Sequence, residues 1–506
     1  MKQAVILAVF ALAYAFQTAA QETHSHPPPE KLGTVNFPTS CAPGVAQEFD
    51  RSVALLHSFA YSASEEAFRS VAASDPHCAM AHWGIAMSFD HQLWSPPSPA
   101  ELRSGQMEIE QASRLDASPR EKQYIAAAAA YYRDAEHVAP QVRAKAYEHA
   151  MQEVSRNNPN DTEAQVFYAL SLIATAPPED GTHANQKRAV AILEPIYRSQ
   201  PDHPGVAHYL IHANDSTELA SQGLAAARAY SKIAPSAPHA LHMPSHIFTR
   251  LGLWDDSIAS NKAARAAAHT QGDVGEELHS MDYLTYAYLQ RGRDAEAAQV
   301  VASLSGMGVA LGYDFKVGYA ATAMPVRLAV ERQMWGDAAA LTALPGSPPH
   351  VAALVYWARA VADSHLGHPR AADGDIARIE ECLQQLRTAG NTYWATQVDV
   401  LGKEAKAWQL AASAHPEESV QLLMSAADEE DAVDKSPATP GPIVPAREQL
   451  GDLLLQLHSP KQALSAYQTA LIASPGRRGS LTGAVKAAEL AGDTKIAAQL
   501  RAQLGG

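Results

Sequence analysis

The chain is short of positive charge. It has 506 residues, with 39 Lys and Arg against 54 Asp and Glu, and its formal net charge at pH 7 is -15. Binding to a phosphate backbone needs clustered basic side chains, and no basic stripe runs along this sequence. The sequence therefore argues against nucleic acid as a partner.

Long apolar runs are also scarce. The run at residues 4–16 follows Lys2 and precedes the small residues Ala19 and Ala20. It is too short to span a membrane and is typical of a secretory signal peptide. We therefore expect a signal peptide at residues 1–20 and an exported protein, periplasmic or secreted. No other stretch approaches the roughly 18 apolar residues of a membrane span, so we expect no transmembrane segment in the mature chain.

Cysteine is rare: the chain has only Cys41, Cys78 and Cys382. In an oxidising compartment Cys41 and Cys78 are candidates for a disulfide, and two separate buried thiols are the alternative because spacing alone does not settle pairing. Cys382 lies in a stretch with a helical pattern, and we interpret it as a small core residue.

Motifs of several common enzyme classes are missing as well. The sequence has no phosphate-binding loop, no dinucleotide-binding fingerprint and no CxxC pair. Each of these motifs reflects a physical requirement of its chemistry. Their absence removes most enzyme classes from consideration.

The sequence does contain repeated helical patterns. Aromatic residues make up 7% and charged residues 18% of the chain, and alanine is abundant, which favours stacked helices with small side chains at their contacts. The run LGDLLLQLHSPKQALSAYQTALIASPG resembles the tetratricopeptide repeat (TPR), with small residues, an aromatic residue and a closing proline at Gly451, Ala463, Tyr467, Ala470 and Pro475. This resemblance implies an all-α, right-handed superhelical solenoid of helix-turn-helix repeats.

The same pattern fits most of the mature chain, with irregular helical spacers between units. We interpret the acidic and Pro-rich connection as an extended segment packed along the solenoid. The predicted domains are a signal peptide at 1–20, a flexible Pro-rich lead-in at 21–44, an N-terminal TPR array at 45–346, further TPR-like repeats at 347–427, the connection at 428–445, and C-terminal TPR and capping helices at 446–506.

A narrower resemblance rests on five runs along the chain. They are LLHSF at Leu55, DPHCAMAHWGIAMS at Asp75, HYLIHAND at His208, HALHMPSHIFTRLGLWDDSI at His239 and TPGPIVPARE at Thr439. These runs resemble exported bacterial TPR proteins of a largely uncharacterised family. That resemblance implies a fold and a compartment, but no reaction.

Histidines recur at matching positions in two adjacent units of about 34 residues each. His208 and His212 stand at the fifth and ninth positions of the unit that begins at residue 204, and His242 and His246 stand at the same positions of the unit that begins at 238. The TPR resemblance implies that the second, fifth and ninth positions, among others, face the concave groove. Residues four apart share a helix face, and packed helices lie about 8–10 Å apart. We therefore expect these four histidines to form one patch.

Other residues continue this predicted groove. His57 and His91 match each other in the first two units, and Asp282 and Tyr286 take the fifth and ninth positions of the unit after the histidine pairs. The predicted groove residues are His57, His91, His208, His212, His242, His246, Asp282 and Tyr286. We interpret His239, just before the helix, as a cap or loop residue.

Two functions fit this pattern. The first is an exported scaffold that binds a protein or peptide partner in a concave, His-rich groove. The alternative is a metal-dependent protein, either an oxidative or hydrolytic enzyme or a metal carrier, because the H-x-x-x-H spacing presents two nitrogens to one ion. Its ligands would be His208, His212, His242 and His246, with Asp282 or Asp215 as a further ligand or an orienting group. Such ligands suit zinc, copper, iron or nickel.

Overall fold

The computed structural model describes residues 30–93, 97–307 and 315–505. The chain divides into Met1–Glu30 and Lys31–Gly506, and every described helix belongs to the second of these units. The predicted signal peptide and the first part of the lead-in lie outside the described residues. Within the described ranges the regular structure is helical throughout, without a strand.

Twenty-five α-helices follow one another along the described chain. The first thirteen are α1 (Ala46–His57), α2 (Tyr61–Ser74), α3 (Ala79–Phe89), α4 (Pro99–Arg114), α5 (Pro119–Tyr132), α6 (Pro140–Asn157), α7 (Thr162–Ala174), α8 (Ala184–Ser199), α9 (Pro204–Ala213), α10 (Ala220–Ile233), α11 (Pro238–His242), α12 (Pro244–Arg250) and α13 (Trp254–Gln271). The other twelve are α14 (Val274–Gln290), α15 (Asp294–Ala302), α16 (Phe315–Glu331), α17 (Trp335–Ala339), α18 (Pro349–His365), α19 (Ala372–Thr388), α20 (Thr392–Ala412), α21 (Pro416–Asp431), α22 (Ala446–Gln456), α23 (Pro460–Ala473), α24 (Arg478–Leu490) and α25 (Thr494–Gly505).

These helices form the predicted TPR-like solenoid, in which each helix packs against the next. The small residues of the repeat pattern allow this packing. A Cβ atom on Gly84 would overlap the ring of Phe68, and one on Gly451 would lie 2.7 Å from the ring of Tyr467. The all-α fold class is confirmed. The helix pair α5–α6, which lacks the repeat signature, folds as a helical hairpin of the same kind.

Substituting Gly451 tests this close packing. We expect Gly451→Val to lower the free energy of unfolding by about 1–3 kcal/mol, because the added side chain overlaps the Tyr467 ring and forces the two helices apart. The measurement is the urea concentration at half-unfolding. The matched control is Gly374→Val in α19, where a Cβ atom meets nothing within 4 Å. Equal losses in the two variants would show that helix-helix contact is not the cause.

The lead-in is packed over residues 31–44, so the expectation of a flexible segment is wrong there. Phe37 is 2% exposed, and its ring centroid lies 5.4 Å from that of Phe49 and 5.5 Å from that of Trp83. Its backbone N–H donates to Asp50 at 2.8 Å. Leu32 and Val35 are buried as well. Their spacing with Phe37 follows neither the helix nor the strand period, which is why the sequence pattern did not reveal the packing.

The cysteines take two different states. Cys41 and Cys78 form a disulfide with an S–S distance of 2.02 Å, which joins the lead-in to the start of α3. Cys382 is a buried free thiol in α19. The disulfide therefore fastens the lead-in to the second helix pair.

Residues 432–445 form a covering segment between α21 and α22. Its start differs from the prediction, because residues 428–431 belong to α21. The fully buried Arg327 of α16 donates to the backbone carbonyls of Gly441 at 3.1 Å and Pro442 at 2.7 Å. The hydroxyl of Tyr283 in α14 donates to the carbonyl of Thr439 at 3.1 Å. The covering segment thus lies on the first helices of the central repeats, the side that the TPR resemblance implies is concave.

Contacts between distant repeats close the central region further. Helix α1 packs against α9, and α24 packs against α14. The indole N–H of Trp254 donates to the carbonyl of Gly476 at 3.0 Å. None of the described helices is long and apolar enough to cross a membrane.

Candidate metal centre

Six buried histidines meet in the central repeats, and we call them the histidine cluster. Each is at most 7% exposed. The first triad is His208 and His212 of α9 with His239 of α11, and the second triad is His242 of α11, His246 of α12 and His279 of α14. In each triad the three ring nitrogens that could bind an ion lie within 4.8 Å of one another. The two triads adjoin, since the ring centroids of His212 and His246 are 6.0 Å apart.

Hydrogen bonds orient two rings of the first triad. Nδ1 of His208 donates to the backbone carbonyl of His57 at 2.6 Å, and Nδ1 of His239 lies 3.2 Å from both carboxylate oxygens of Glu276. The other ring nitrogens point at each other, with 3.1 Å between Nε2 of His208 and Nε2 of His239. The acceptors at Nδ1 place the proton there and leave both Nε2 atoms as lone-pair donors.

The second triad repeats this arrangement with different acceptors. Nδ1 of His242 donates to Oδ1 of Asn261 at 2.7 Å, and the Asn261 amide nitrogen donates to the carbonyl of Ser257 at 2.8 Å. Nδ1 of His246 donates to Oδ2 of Asp215 at 2.8 Å. The Nε2 atoms of His242 and His246 are then 3.0 Å apart. A neutral imidazole carries one N–H, so both Nε2 atoms again present lone pairs.

Two lone pairs facing each other at this distance repel, unless a proton or a metal ion lies between them. Burial makes protonation unfavourable: it lowers the pKa of His208, His212 and His242 well below 6.5. Burial also lowers the pKa of His246 to about 4, although the Asp215 carboxylate acts in the opposite direction. Ligand nitrogens about 2.0–2.1 Å from one Zn²⁺ ion lie roughly 3 Å apart. The spacing of each Nε2 pair therefore suits two ligands of one ion.

Asp215 connects the second triad to the covering segment. Besides His246, its carboxylate accepts from Nε of Arg250 at 2.9 Å and from Nζ of Lys435 at 2.9 Å. Burial acts to raise the pKa of Asp215, but the charges of Lys435 and Arg250 hold it well below its usual range. The ring of Tyr283, which bonds the covering segment, stacks on His246 with centroids 4.9 Å apart. Asp215 and Tyr283 therefore both connect His246 to the covering segment.

Local sequence explains how these rings come together. Pro244 has no N–H, so the helix is interrupted at Met243, yet His242 and His246 stay one turn apart with ring centroids at 5.0 Å. Gly205 allows α1 to approach α9, because a Cβ atom there would lie 2.6 Å from Nδ1 of His57. That approach brings the His57 carbonyl to His208.

The structure brings together the four histidines of the predicted patch and adds His239 and His279. His239 is a helical residue of the cluster, so its interpretation as a cap or loop residue is wrong. Both added histidines stand at the second position of their units, which the TPR resemblance places on the groove. Applying that rule to the second position as well as the fifth and ninth would have found them.

The prediction of an open groove at these positions is wrong. His57, His208, His212, His242, His246, Asp282 and Tyr286 are all buried. The covering segment and Arg327 fill the space that the register left open, since Arg327 lies 3.7 Å from Asp282 and 4.7 Å from the Tyr286 ring. The described contact of Asp282 is to this guanidinium, so Asp282 does not support the cluster as expected. Asp215 and Glu276 are the carboxylates that orient cluster histidines, at Nδ1 of His246 and Nδ1 of His239.

The two predicted groove histidines outside the cluster have other contacts. The ring of His57 lies 2.8 Å from the Glu163 carboxylate and 2.9 Å from the Tyr209 hydroxyl. His91 is half-buried, and its ring centroid lies 4.4 Å from that of Tyr61. His57 therefore serves the cluster through its backbone carbonyl, and the described ring contact of His91 is to Tyr61.

Comparisons with known proteins concern the architecture alone. No protein-family model and no curated protein sequence matches the chain. Among solved structures, the chain is similar to the human IFIT1 dimer with m7Gppp-AAAA, at 12% identity and a TM-score of 0.35 over 85% of this chain and 90% of that one. It is also similar to the P58(IPK) TPR domain, at 12% identity and a TM-score of 0.23 over 89% of this chain and 99% of that one.

Proposed function

We propose that the protein binds transition-metal ions in the histidine cluster, with one ion in each triad. One observation carries the proposal. The Nε2 atoms of His242 and His246 lie 3.0 Å apart and those of His208 and His239 lie 3.1 Å apart, while Nδ1 of each of these rings faces a hydrogen-bond acceptor. Oriented, neutral imidazoles with converging lone pairs are what a metal ion requires of its histidine ligands.

The donor set selects a class of ion. All six side chains of the cluster offer imidazole nitrogen, and no thiolate is among them. Imidazole suits zinc, copper, iron and nickel, whereas magnesium and calcium prefer oxygen ligands. Because burial keeps His208, His212, His242 and His246 neutral, an ion does not have to displace protons from the Nε2 atoms of these rings at pH 7.

The burial of the cluster favours holding a metal over processing a large substrate. His242, His246 and His279 are 0% exposed, and the covering segment lies over the second triad through Lys435 and Tyr283. An ion bound there is shielded from bulk water and leaves only after the covering segment moves. Metal storage or carriage fits this arrangement, and an enzymatic role would need the same movement to admit a substrate.

Metal analysis of the purified, dialysed protein tests the proposal. We expect two ions per chain in the natural protein, one for each triad. The double variants His208→Ala/His239→Ala and His242→Ala/His246→Ala should each lose one ion, because each removes two of the three ligands of one triad.

The matched control is His350→Phe. His350 is a largely buried histidine outside the cluster, with its ring stacked 4.3 Å from that of Trp394, so a phenyl ring preserves the stack and the metal content should not change. A natural protein that retains less than one ion per chain after loading and dialysis contradicts the proposal. So does unchanged metal content in folded double variants, as judged by circular dichroism.

We also propose that the protein is exported, as its N-terminal pattern predicts. The disulfide between Cys41 and Cys78 supports this, because disulfides persist in oxidising compartments. Fractionation of cells that produce the chain tests it: cytoplasmic protein that keeps residues 1–20 would contradict export.

Binding of a protein or peptide partner by the repeat array stays a prediction. The buried histidines cannot be the contact surface while the covering segment is in place, so such a partner would bind elsewhere on the array. A pull-down with the His242→Ala/His246→Ala variant should therefore capture the same partner as the natural protein.

A further inference from the structure

A second candidate site lies in the C-terminal half of the array. A cavity of about 670 Å³ opens between α18, α20, α22 and α24, next to the end of α16. Cavities of roughly 300–1,000 Å³ accommodate small-molecule ligands. This cavity shares no lining residue with the histidine cluster, so its occupancy is a question separate from metal binding.

One wall of the cavity is aromatic. The rings of Trp335 and His365 stack in parallel with centroids 4.1 Å apart, and the centroid of the tilted Trp408 ring lies 4.3 Å from that of His365. Burial lowers the pKa of His365 to about 4, so the ring is neutral at pH 7. Trp357 also lines the cavity. An uncharged wall of this kind attracts cations through the negative faces of its rings.

Carboxylates from three helices line the same cavity, with Asp294 at the start of α15 among them. Glu448 and Asp452 stand one turn apart on α22, and Glu331 ends α16. Glu331 and Glu448 both accept hydrogen bonds from the fully buried Arg477, at 3.0 and 2.8 Å. Like charges one turn apart repel, so the pairing of Glu448 with Arg477 leaves Asp452 as the carboxylate still to be balanced.

Asp452 accepts a hydrogen bond from the Tyr467 hydroxyl at 2.5 Å, and no ion pair to it occurs among the described residues. Burial and then the charge of Glu448 raise its pKa to about 7, and the Tyr467 hydrogen bond and the charges of Arg477 and Lys486 lower it only in part. Asp452 is therefore a carboxylate of the lining without an ion-pair partner among the described residues.

The basic residues of the lining are engaged elsewhere or exposed. Arg332 and Arg478 both face Asp294, at 3.2 and 3.6 Å. Lys486 is exposed on α24. None of the three is paired with Asp452, so the cavity lining combines an aromatic wall with a carboxylate that lacks an ion-pair partner among the described residues.

We propose that this cavity binds a small organic cation, an ammonium group that lies between Asp452 and the Trp335–His365–Trp408 wall. The cationic head is attracted by the carboxylate and the ring faces, and its alkyl groups displace water from the indoles. The volume exceeds that of a bare ammonium group, so the natural ligand would carry a further polar or apolar body toward the rim.

A pair of probes of equal shape tests the charge requirement. Choline carries a quaternary ammonium, and 3,3-dimethyl-1-butanol is its uncharged carbon analogue. In calorimetric titrations at pH 8, where Asp452 is ionised, we expect choline to bind the natural protein at least about tenfold more tightly than the alcohol. Asp452→Asn should weaken choline binding by about tenfold or more and leave binding of the alcohol unchanged.

The control variant is Asp116→Asn, which removes a carboxylate that is exposed before α5 and should not change choline binding. Equal affinity of the natural protein for the two probes would overturn the proposal without any variant. No detectable choline binding at millimolar concentration, or an unchanged affinity in a folded Asp452→Asn protein, would overturn it as well. None of these outcomes bears on the metal content of the histidine cluster.

Discussion

Loading metal-free protein with Zn²⁺ is expected to raise its free energy of unfolding by about 4 kcal/mol for each triad, when free Zn²⁺ exceeds the dissociation constant about a thousandfold. The six histidines converge only in the folded chain, so the ion binds the folded state and stabilises it by mass action. The ion also removes the repulsion between the Nε2 lone pairs of His208 and His239, which are 3.1 Å apart, and of His242 and His246, which are 3.0 Å apart. The measurement is the unfolding temperature and the urea midpoint with and without Zn²⁺.

Two controls make this result specific. Mg²⁺ at the same concentration should have no effect, because it prefers oxygen ligands. The His242→Ala/His246→Ala variant should keep about half of the stabilisation, since the first triad is intact. If Zn²⁺ leaves the natural protein unchanged, or stabilises both proteins equally, the stabilising ion is not bound in the second triad.

Replacing Arg477 should cause the largest loss of stability of any single substitution considered for this chain. Its guanidinium is 0% exposed and donates to Glu448 at 2.8 and 3.2 Å, to Glu331 at 3.0 Å and to the hydroxyl of Tyr286 at 3.3 Å. Arg477→Met leaves the largely buried Glu448 without its ion-pair partner, and leaves Glu331 with only the more distant Arg327 at 3.9 Å, which costs about 3–5 kcal/mol. The same change releases the C-terminal repeats from α14, so limited proteolysis should cut near residue 477.

The neighbouring residue provides the matched control. Arg478 is about half-exposed and lies 3.6 Å from Asp294, and an ion pair in water contributes about 0–1 kcal/mol. Arg478→Met should therefore have little effect on the urea midpoint. Similar losses in the two variants would show that the buried network around Arg477 does not fasten the C-terminal repeats.

The repeat architecture could be read from the sequence because it depends on local periodicity. Small residues such as Gly451 against an aromatic residue such as Tyr467 recur at a fixed spacing, and that spacing follows from helix packing. The packed lead-in was missed for the opposite reason. Leu32, Val35 and Phe37 are buried at irregular spacing, and the ring partners of Phe37 lie in the repeats.

The same periodicity predicted where the histidines lie, but it did not predict that they are buried. Equal register positions predicted that His208, His212, His242 and His246 lie close together. The segment that buries them is held by contacts between residues far apart in sequence. Arg327 bonds Gly441 and Pro442 across more than a hundred residues, and Lys435 reaches Asp215 across 220. Register rules describe neighbouring repeats and carry no information on what fills the groove they form.

Crystals of the metal-loaded protein, measured at the absorption edge of the bound metal, would show most directly whether the histidine cluster is a metal centre. We expect one anomalous peak about 2.0–2.1 Å from the Nε2 atoms of His242 and His246, and another at the same distance from those of His208 and His239. A loaded crystal in which the cluster shows no anomalous peak, with metal bound only at surface carboxylates, would contradict the assignment.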